Sequence, residues 1–239
     1  MPPSVRNNAV PGRPTRRRFL LTQCMGETDP KSIVRRGYDL LSLRYRGDNE
    51  FPQHYGPWIE HVLRGIPPRG RVLDLGCGCG VPVARELAEH GATVTGVDIS
   101  EVQIARARQL VPAATFLRAD LADVIFAAAS FDAACSFYAL IHLPASDQRA
   151  VIDRVGTWLE PGGLFLATVG HTAWTGEEPS WLGGDAPMWW SHRDEATYRR
   201  WILAAGLDIL GRQFVPEGSS GHVLFIARRP KRHSTLPPR

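Results

Sequence analysis

Apolar positions along this chain fall into two recurring kinds of segment. Short runs at 72–75, 92–98, 115–117, 131–137 and 164–169 read as strands, and 131–137 is nearly continuously apolar, as a strand buried on both faces should be. Between them, 81–90, 100–108 and 145–159 read as helices. Ser100 caps the second of these, with Glu101 in its first turn, where a negative charge suits the helix dipole. Upstream, Asp29 and Pro30 predict a helix start, Asp29 as the cap and Pro30 at the first position, with Val34, Tyr38, Leu41 and Tyr45 at helical spacing behind them. A second helix is predicted over 51–63, leading into the first strand. Downstream, 194–205 reads as a helix terminated by Gly206, and 207–215 and 221–228 as a closing pair of strands around Pro216-Glu217-Gly218-Ser219-Ser220. Only 170–191 lacks a clear period. It predicts a long loop holding His171, Trp174, Trp181, Trp189 and Trp190. Such a loop inside a compact domain is usually functional or disordered, and its tryptophans argue against disorder. There is no internal repeat.

The first strand runs straight into Gly76-Cys77-Gly78-Cys79-Gly80. Glycine adopts backbone angles that other residues avoid and lets main chain approach a ligand with no Cβ in the way. The helix start beyond offers unpaired N–H groups and the positive end of a dipole, which suits an anion. The spacing is G-x-G-x-G, with Asp74 two residues ahead, rather than the G-x-G-x-x-G of dinucleotide sites. The second strand ends in Asp98, followed by Ile99, where a carboxylate can take both hydroxyls of a ribose.

The segments "VLDLGCGCG", "VTGVDIS", "RAD" at 118–120, "FDAACSFYALIHL" at 131–143 and "LEPGGLFL" at 159–166 occur in that order. Together they resemble the class I S-adenosylmethionine-dependent methyltransferases, roughly over residues 31–229. The resemblance implies an α/β, doubly wound, mostly parallel seven-stranded sheet with an antiparallel C-terminal edge strand, helices on both faces and an N-terminal helical lid. It implies S-adenosyl-L-methionine as cofactor, held by Tyr38, Asp74, Gly76, Gly78, Gly80, Asp98, Ile99, Asp120, Leu121, Ser136 and Phe137. In that scheme Tyr38 reaches the methionine carboxylate, Asp120 takes the adenine amino group and Leu121 packs the ring. "GYDLLSLRYRG" resembles the lid segment of small-molecule members. The acceptor side would be formed by Tyr45, Tyr138, His171, Trp189, Trp190 and His222. His142 is the first choice as general base, since a histidine of near-neutral pKa suits that role, with His171 and His222 behind it. Plainer readings stand beside these: the glycines as a tight turn, Tyr38 and Tyr45 packing a helix onto the sheet, Asp120 and His142 satisfying turns, and some tryptophans closing the core.

At 239 residues the chain suits one α/β domain rather than two, and 44% hydrophobic content is ordinary for a globular protein. The expected division is a flexible basic tail over 1–28, a domain over 29–229 with the lid at 29–66 and an acceptor-site loop at 170–192, and a second basic tail over 230–239. The net charge of +4 invites a nucleic-acid reading, yet five arginines in residues 1–23 and five basic residues in 228–239 leave the body between them at −6. The Asn/Asp-Pro-Pro-aromatic signature of base amino methylators is also absent. A nucleic-acid (tRNA or rRNA) methyltransferase, an NAD-dependent oxidoreductase and a non-catalytic cofactor-binding relative are therefore the lesser alternatives. The leading one is methyl transfer to an O or N atom of a small-molecule acceptor, such as a secondary metabolite. Cys24, Cys77, Cys79 and Cys135 form no disulfide framework or zinc spacing, so no metal is expected. No apolar run spans a bilayer. Arg16-Arg17-Arg18-Phe19-Leu20 resembles an export signal, but its apolar stretch stops at Thr22-Gln23, and a cytoplasmic location is expected. A homodimer stays open.

Overall fold

The computed structural model describes residues 29–218 and 220–231. The tail expected over 1–28, with Cys24, and residues 232–239 of the other tail lie outside the described residues. In chain order the elements are α1 (Pro30–Tyr45), α2 (Tyr55–Gly65), β1 (Arg71–Leu75), α3 (Val83–Glu89), β2 (Thr93–Asp98), α4 (Glu101–Leu110), β3 (Thr115–Arg118), β4 (Phe131–Ser136), α5 (Ala145–Trp158), β5 (Leu159–Gly170), β6 (Trp174–Glu178), β7 (Met188–His192), α6 (Glu195–Ala204), β8 (Asp208–Glu217) and β9 (Ser220–Arg228).

The caps form where the residue types direct them. Asp29 accepts from the Ser32 amide at 3.1 Å, Ser100 Oγ from the Gln103 amide at 3.1 Å and Asp194 from the Thr197 amide at 2.7 Å. Helix α6 closes at Gly206, whose φ is 76°.

Seven strands pair in the order β3-β2-β1-β4-β5-β9-β8. β1 to β5 run parallel, and the last two strands form the antiparallel edge, β9 lying antiparallel between β5 and β8. Alternate residues of the central strands feed two cores. Val72, Ala133, Cys135, Leu164 and Leu166 pack on one face, and Leu73, Leu75, Ala134, Phe165, Ala167 and Val169 on the other. Burial on both faces is why these strands read as unbroken apolar runs. Strand order reverses between β1 and β4, which opens a crevice beyond their carboxyl ends.

Segment 170–192, expected as a loop, is instead a separate antiparallel pair, β6 with β7, joined through a 3-10 turn at Trp181–Gly183. β6 has no buried residue. Without one buried face it carries no period-two apolar signal, so it is invisible to that criterion. Two further boundaries move. α2 begins at Tyr55 rather than at 51, and α3 at Val83, behind Pro82.

Helix α1 lies across the carboxyl ends of the sheet. Ile33 and Val34 pack against Trp181, Met188 and Trp189 of the hairpin region. Polar ties fix the helix to α4. Asp39 accepts from Ser100 Oγ at 2.6 Å, Ser42 Oγ donates to Gln103 Oε1 at 2.8 Å, and Arg106 donates to Ser42 Oγ at 2.6 Å and to the Arg46 carbonyl at 2.8 Å. Among the described residues no helix is long and apolar enough to cross a membrane.

Candidate active site

The crevice between β1 and β4 holds a cavity roofed by α1. Its wall is the turn after β1. The Gly76 and Cys77 amides both donate to the Val97 carbonyl, at 2.8 and 3.0 Å, which curls the turn over the end of β2. Gly76 has φ +75°, and a Cβ there would lie 2.1 Å from Ala139 Cβ, so no larger residue fits without rearrangement. The Gly78 amide donates to Asp98 Oδ2 at 3.0 Å and the Ser100 amide to Oδ1 at 2.8 Å, so both carboxylate oxygens are aimed and each keeps a lone pair for a ligand.

Burial dominates the electrostatics. It pushes the Asp98 carboxyl up to about 6, against the pull of the two amides. Burial, then the neighbouring Asp98, pushes Asp74 up to about 7. Asp74 is 2% exposed and its Oδ2 has no partner within the protein. It faces a small side cavity against the glycine turn, whose wall includes Arg46, Tyr45, Gly76 and Gly78. At the opposite end, Asp120 Oδ1 accepts from the Ala122 amide at 2.8 Å, and Oδ2 pairs with Lys31 Nζ at 2.8 Å. Lys31 also reaches Asp147 Oδ2 at 2.5 Å, tying the start of α1 to α5.

A larger chamber adjoins the first, sharing Tyr38, Tyr45 and His142 with it. Its walls are aromatic: Tyr55, Trp58, Tyr138, Trp181 and Trp190, with Arg46, His54, Glu217 and His222 as polar groups. Tyr138 has φ 62°, an uncommon left-handed conformation for a bulky residue, and its amide is held by Thr168 Oγ1.

The structure gathers most of the sequence-selected residues and leaves some apart. Tyr38, Gly76, Gly78, Asp98, Ile99, Asp120 and Leu121 line the first cavity, and Asp74 lines the side cavity. Gly80 is backed by Phe116 and Val111, so its role is packing under the turn. Ser136 is fully buried, and Phe137 packs on Tyr55 and Trp58 behind the chamber. Tyr45, Tyr138, Trp190 and His222 line the chamber. Trp189 contributes its carbonyl, to His142, rather than its ring. His171 does not reach the chamber. It meets Phe214 edge to face at 5.1 Å and sits 3.6 Å from Glu195, because β5 ends one residue before it and turns it outward.

His142 is fully engaged. A carbonyl can only accept, so the 2.8 Å contact with the Trp189 oxygen places the proton on Nδ1, and Nε2 accepts from Tyr38 Oη at 3.0 Å. Burial lowers its pKa to about 4. Its nitrogens tie Tyr38 of α1 to the Trp189 carbonyl of β7, and a base role requires Tyr38 to move away first. Lys31, Arg46 and Glu217 escaped sequence selection. Long charged side chains on helix and strand ends carry no local signal of the cavity they reach. Among the described residues no group of three or more His, Cys, Asp or Glu is placed to hold a metal ion.

Residues 72–163 match the family model of a methyltransferase domain. Over 126 residues the chain is 37% identical to an uncharacterised methyltransferase of Synechocystis sp., a match covering 53% of this chain and 57% of that protein. Over 116 residues it is 38% identical to a sterol 24-C-methyltransferase of Gibberella zeae, covering 44% of this chain and 30% of that protein. The chain thus spans less than two thirds of these relatives. Among solved structures, magnesium protoporphyrin IX methyltransferase from Synechocystis PCC 6803 with bound SAH superposes with a TM-score of 0.64 at 21% identity, covering 84% of this chain and 100% of the other. That likeness is one of fold.

Proposed function

This chain belongs to the class I S-adenosylmethionine-dependent methyltransferases, and on that premise we propose that it transfers a methyl group from S-adenosylmethionine to an oxygen or nitrogen of a small-molecule acceptor. One observation carries the reading. At the switch point of the sheet, a buried carboxylate oxygen without a partner, on Asp74, faces the same glycine turn whose amide aims Asp98.

The residues present fit the cofactor. Asp98 offers two oriented oxygens to the ribose hydroxyls. Asp74 and Arg46 set a negative and a positive group on one small cavity, which suits the ammonium and carboxylate of a methionine moiety. Asp120 and Leu121 stand at the adenine end, with Lys31 on the Asp120 carboxylate. When bound, the cofactor supplies a methyl group already activated by its sulfonium. The protein's own work is to hold an acceptor atom ~3 Å from that carbon and to keep water out. The segment 29–66, which holds α1 and α2, and the hairpin within 170–192 support the exclusion of water, and both are read as the acceptor-side cover. The aromatic walls of the chamber favour a planar or apolar small molecule over a polynucleotide.

The test is mass spectrometry of a metabolite extract incubated with the protein and cofactor carrying an isotopically labelled methyl group. A labelled product, formed only with active protein, is expected. Calorimetry showing no uptake of S-adenosylmethionine or S-adenosylhomocysteine would remove the reading. Carbon methylation is the second reading, favoured by the sterol 24-C-methyltransferase relative. Fragmentation of the labelled product would separate it from O- and N-methylation.

A further inference from the structure

The site as described lacks a free proton acceptor at its expected place. His142 spends Nδ1 on the Trp189 carbonyl and Nε2 on the Tyr38 hydroxyl. The acceptor chamber contains another imidazole with the opposite character. His222, at the start of β9, lies beside Gly170 of β5 and Val215 of β8, at the carboxyl end of the sheet, and lines the chamber. Its Nε2 is buried and has no hydrogen-bond partner. Its Nδ1 lies 2.9 Å from Glu217 Oε2, an ion-pair distance although outside the alignment of a hydrogen bond. The Tyr138 ring meets the imidazole edge to face at 5.2 Å, and Tyr138 is the residue held in the left-handed conformation at the end of β4. A carboxylate beside one ring nitrogen and an unpartnered second nitrogen, on the wall of the chamber, is the arrangement of a general base.

Resting on the methyltransferase reading above, we propose that His222, positioned by Glu217, takes the proton of an aromatic hydroxyl acceptor seated among Tyr138, Trp190 and Tyr55. The step balances within the site. The acceptor oxygen forms a bond to the methyl carbon, the carbon–sulfur bond breaks, and its electron pair stays on sulfur as the neutral thioether. The hydroxyl proton passes to His222 Nε2, and the resulting imidazolium is stabilised by the Glu217 carboxylate. Glu217 is 67% exposed in its side chain, so the proton has a route to solvent. The charged and titratable groups around the imidazole are Glu217 on β8, Tyr138 after β4, His192 on β7 with its ring 5.4 Å away, and His54 and Arg46 across the chamber. Glu217 is the one anion in that set. The geometry therefore assigns His222 catalysis and Glu217 positioning.

The experiment uses the full chain with S-adenosylhomocysteine bound. The His222 ring is titrated by nitrogen-15 NMR, assigned through His222→Gln, in wild type and in Glu217→Gln. Turnover is followed as labelled methyl transfer into the product that wild-type protein forms from the extract. The acidic limb of the rate profile should move in Glu217→Gln, because the lost carboxylate no longer stabilises the imidazolium formed in the step. His222→Gln should lose ~10²–10⁴-fold in kcat, the range of general base catalysis, with the affinity for S-adenosylhomocysteine unchanged. Wild-type kcat in His222→Gln, or a His222 titration and rate limb both unmoved by Glu217→Gln, overturns the proposal. Lack of S-adenosylhomocysteine uptake by wild type overturns the methyltransferase reading instead, so the two failures are distinct.

Discussion

Gly76→Ala tests the glycine turn without any assay of function. The residue sits at φ +75°, and a Cβ there would approach Ala139 Cβ to 2.1 Å and Ala139 Cα to 3.5 Å. Two separate penalties follow. Placing an L-residue in the left-handed region costs about 1–2 kcal/mol. Forcing a methyl group into occupied space costs about 1–3 kcal/mol. The sum is about 2–5 kcal/mol, and at ~2–4 °C per kcal/mol for a chain of this size it lowers Tm by about 4–20 °C. The second penalty is specific to Ala139. A cycle of Gly76→Ala, Ala139→Gly and the double variant, followed by urea unfolding, should therefore show a coupling of about 1–3 kcal/mol, with the left-handed penalty left uncorrected. Stability equal to wild type in Gly76→Ala, or no recovery in the double variant, would refute the account of the turn.

Two further predictions rest on buried polar groups. Asp74 has its carboxyl raised from 3.8 to about 7, chiefly by burial. The folded state then holds a proton that the unfolded chain releases, so this group's contribution is present below about 4 and is lost as pH rises through about 7. Urea unfolding across that window should show stability falling with pH, and Asp74→Asn should flatten the slope, leaving the smaller part from Asp98, which is raised to about 6. An unchanged slope would remove Asp74 as its source. Tyr38→Phe deletes the hydroxyl that His142 Nε2 accepts from, leaving a buried acceptor unpartnered at a cost of about 1–3 kcal/mol. Hydrogen exchange should then quicken across α1 while β1 and β4 stay protected. Uniform quickening, or none, would show that this bond does not fasten the lid.

The alternation of helix and strand, the caps at Asp29 and Ser100, and the glycine turn with Asp74 and Asp98 were all determined by sequence alone, because each is a local consequence of residue type. Continuous apolar runs announce strands buried on both faces, and no knowledge of their neighbours is needed. Tertiary structure decided the rest. The hairpin of β6 and β7 carries no apolar period because β6 buries nothing. Lys31 meets Asp120, and Arg46 meets the wall that holds Asp74, only after α1 crosses the sheet. The chemical state of the histidines was decided the same way. His142 and His222 are alike in sequence terms, each a polar residue among apolar ones near a strand end. Packing pairs one nitrogen of His142 with a carbonyl and the other with a hydroxyl, and leaves Nε2 of His222 without a partner. Which imidazole can accept a proton depends on atoms far along the chain, brought within 3 Å of it by the fold, and no local pattern encodes that.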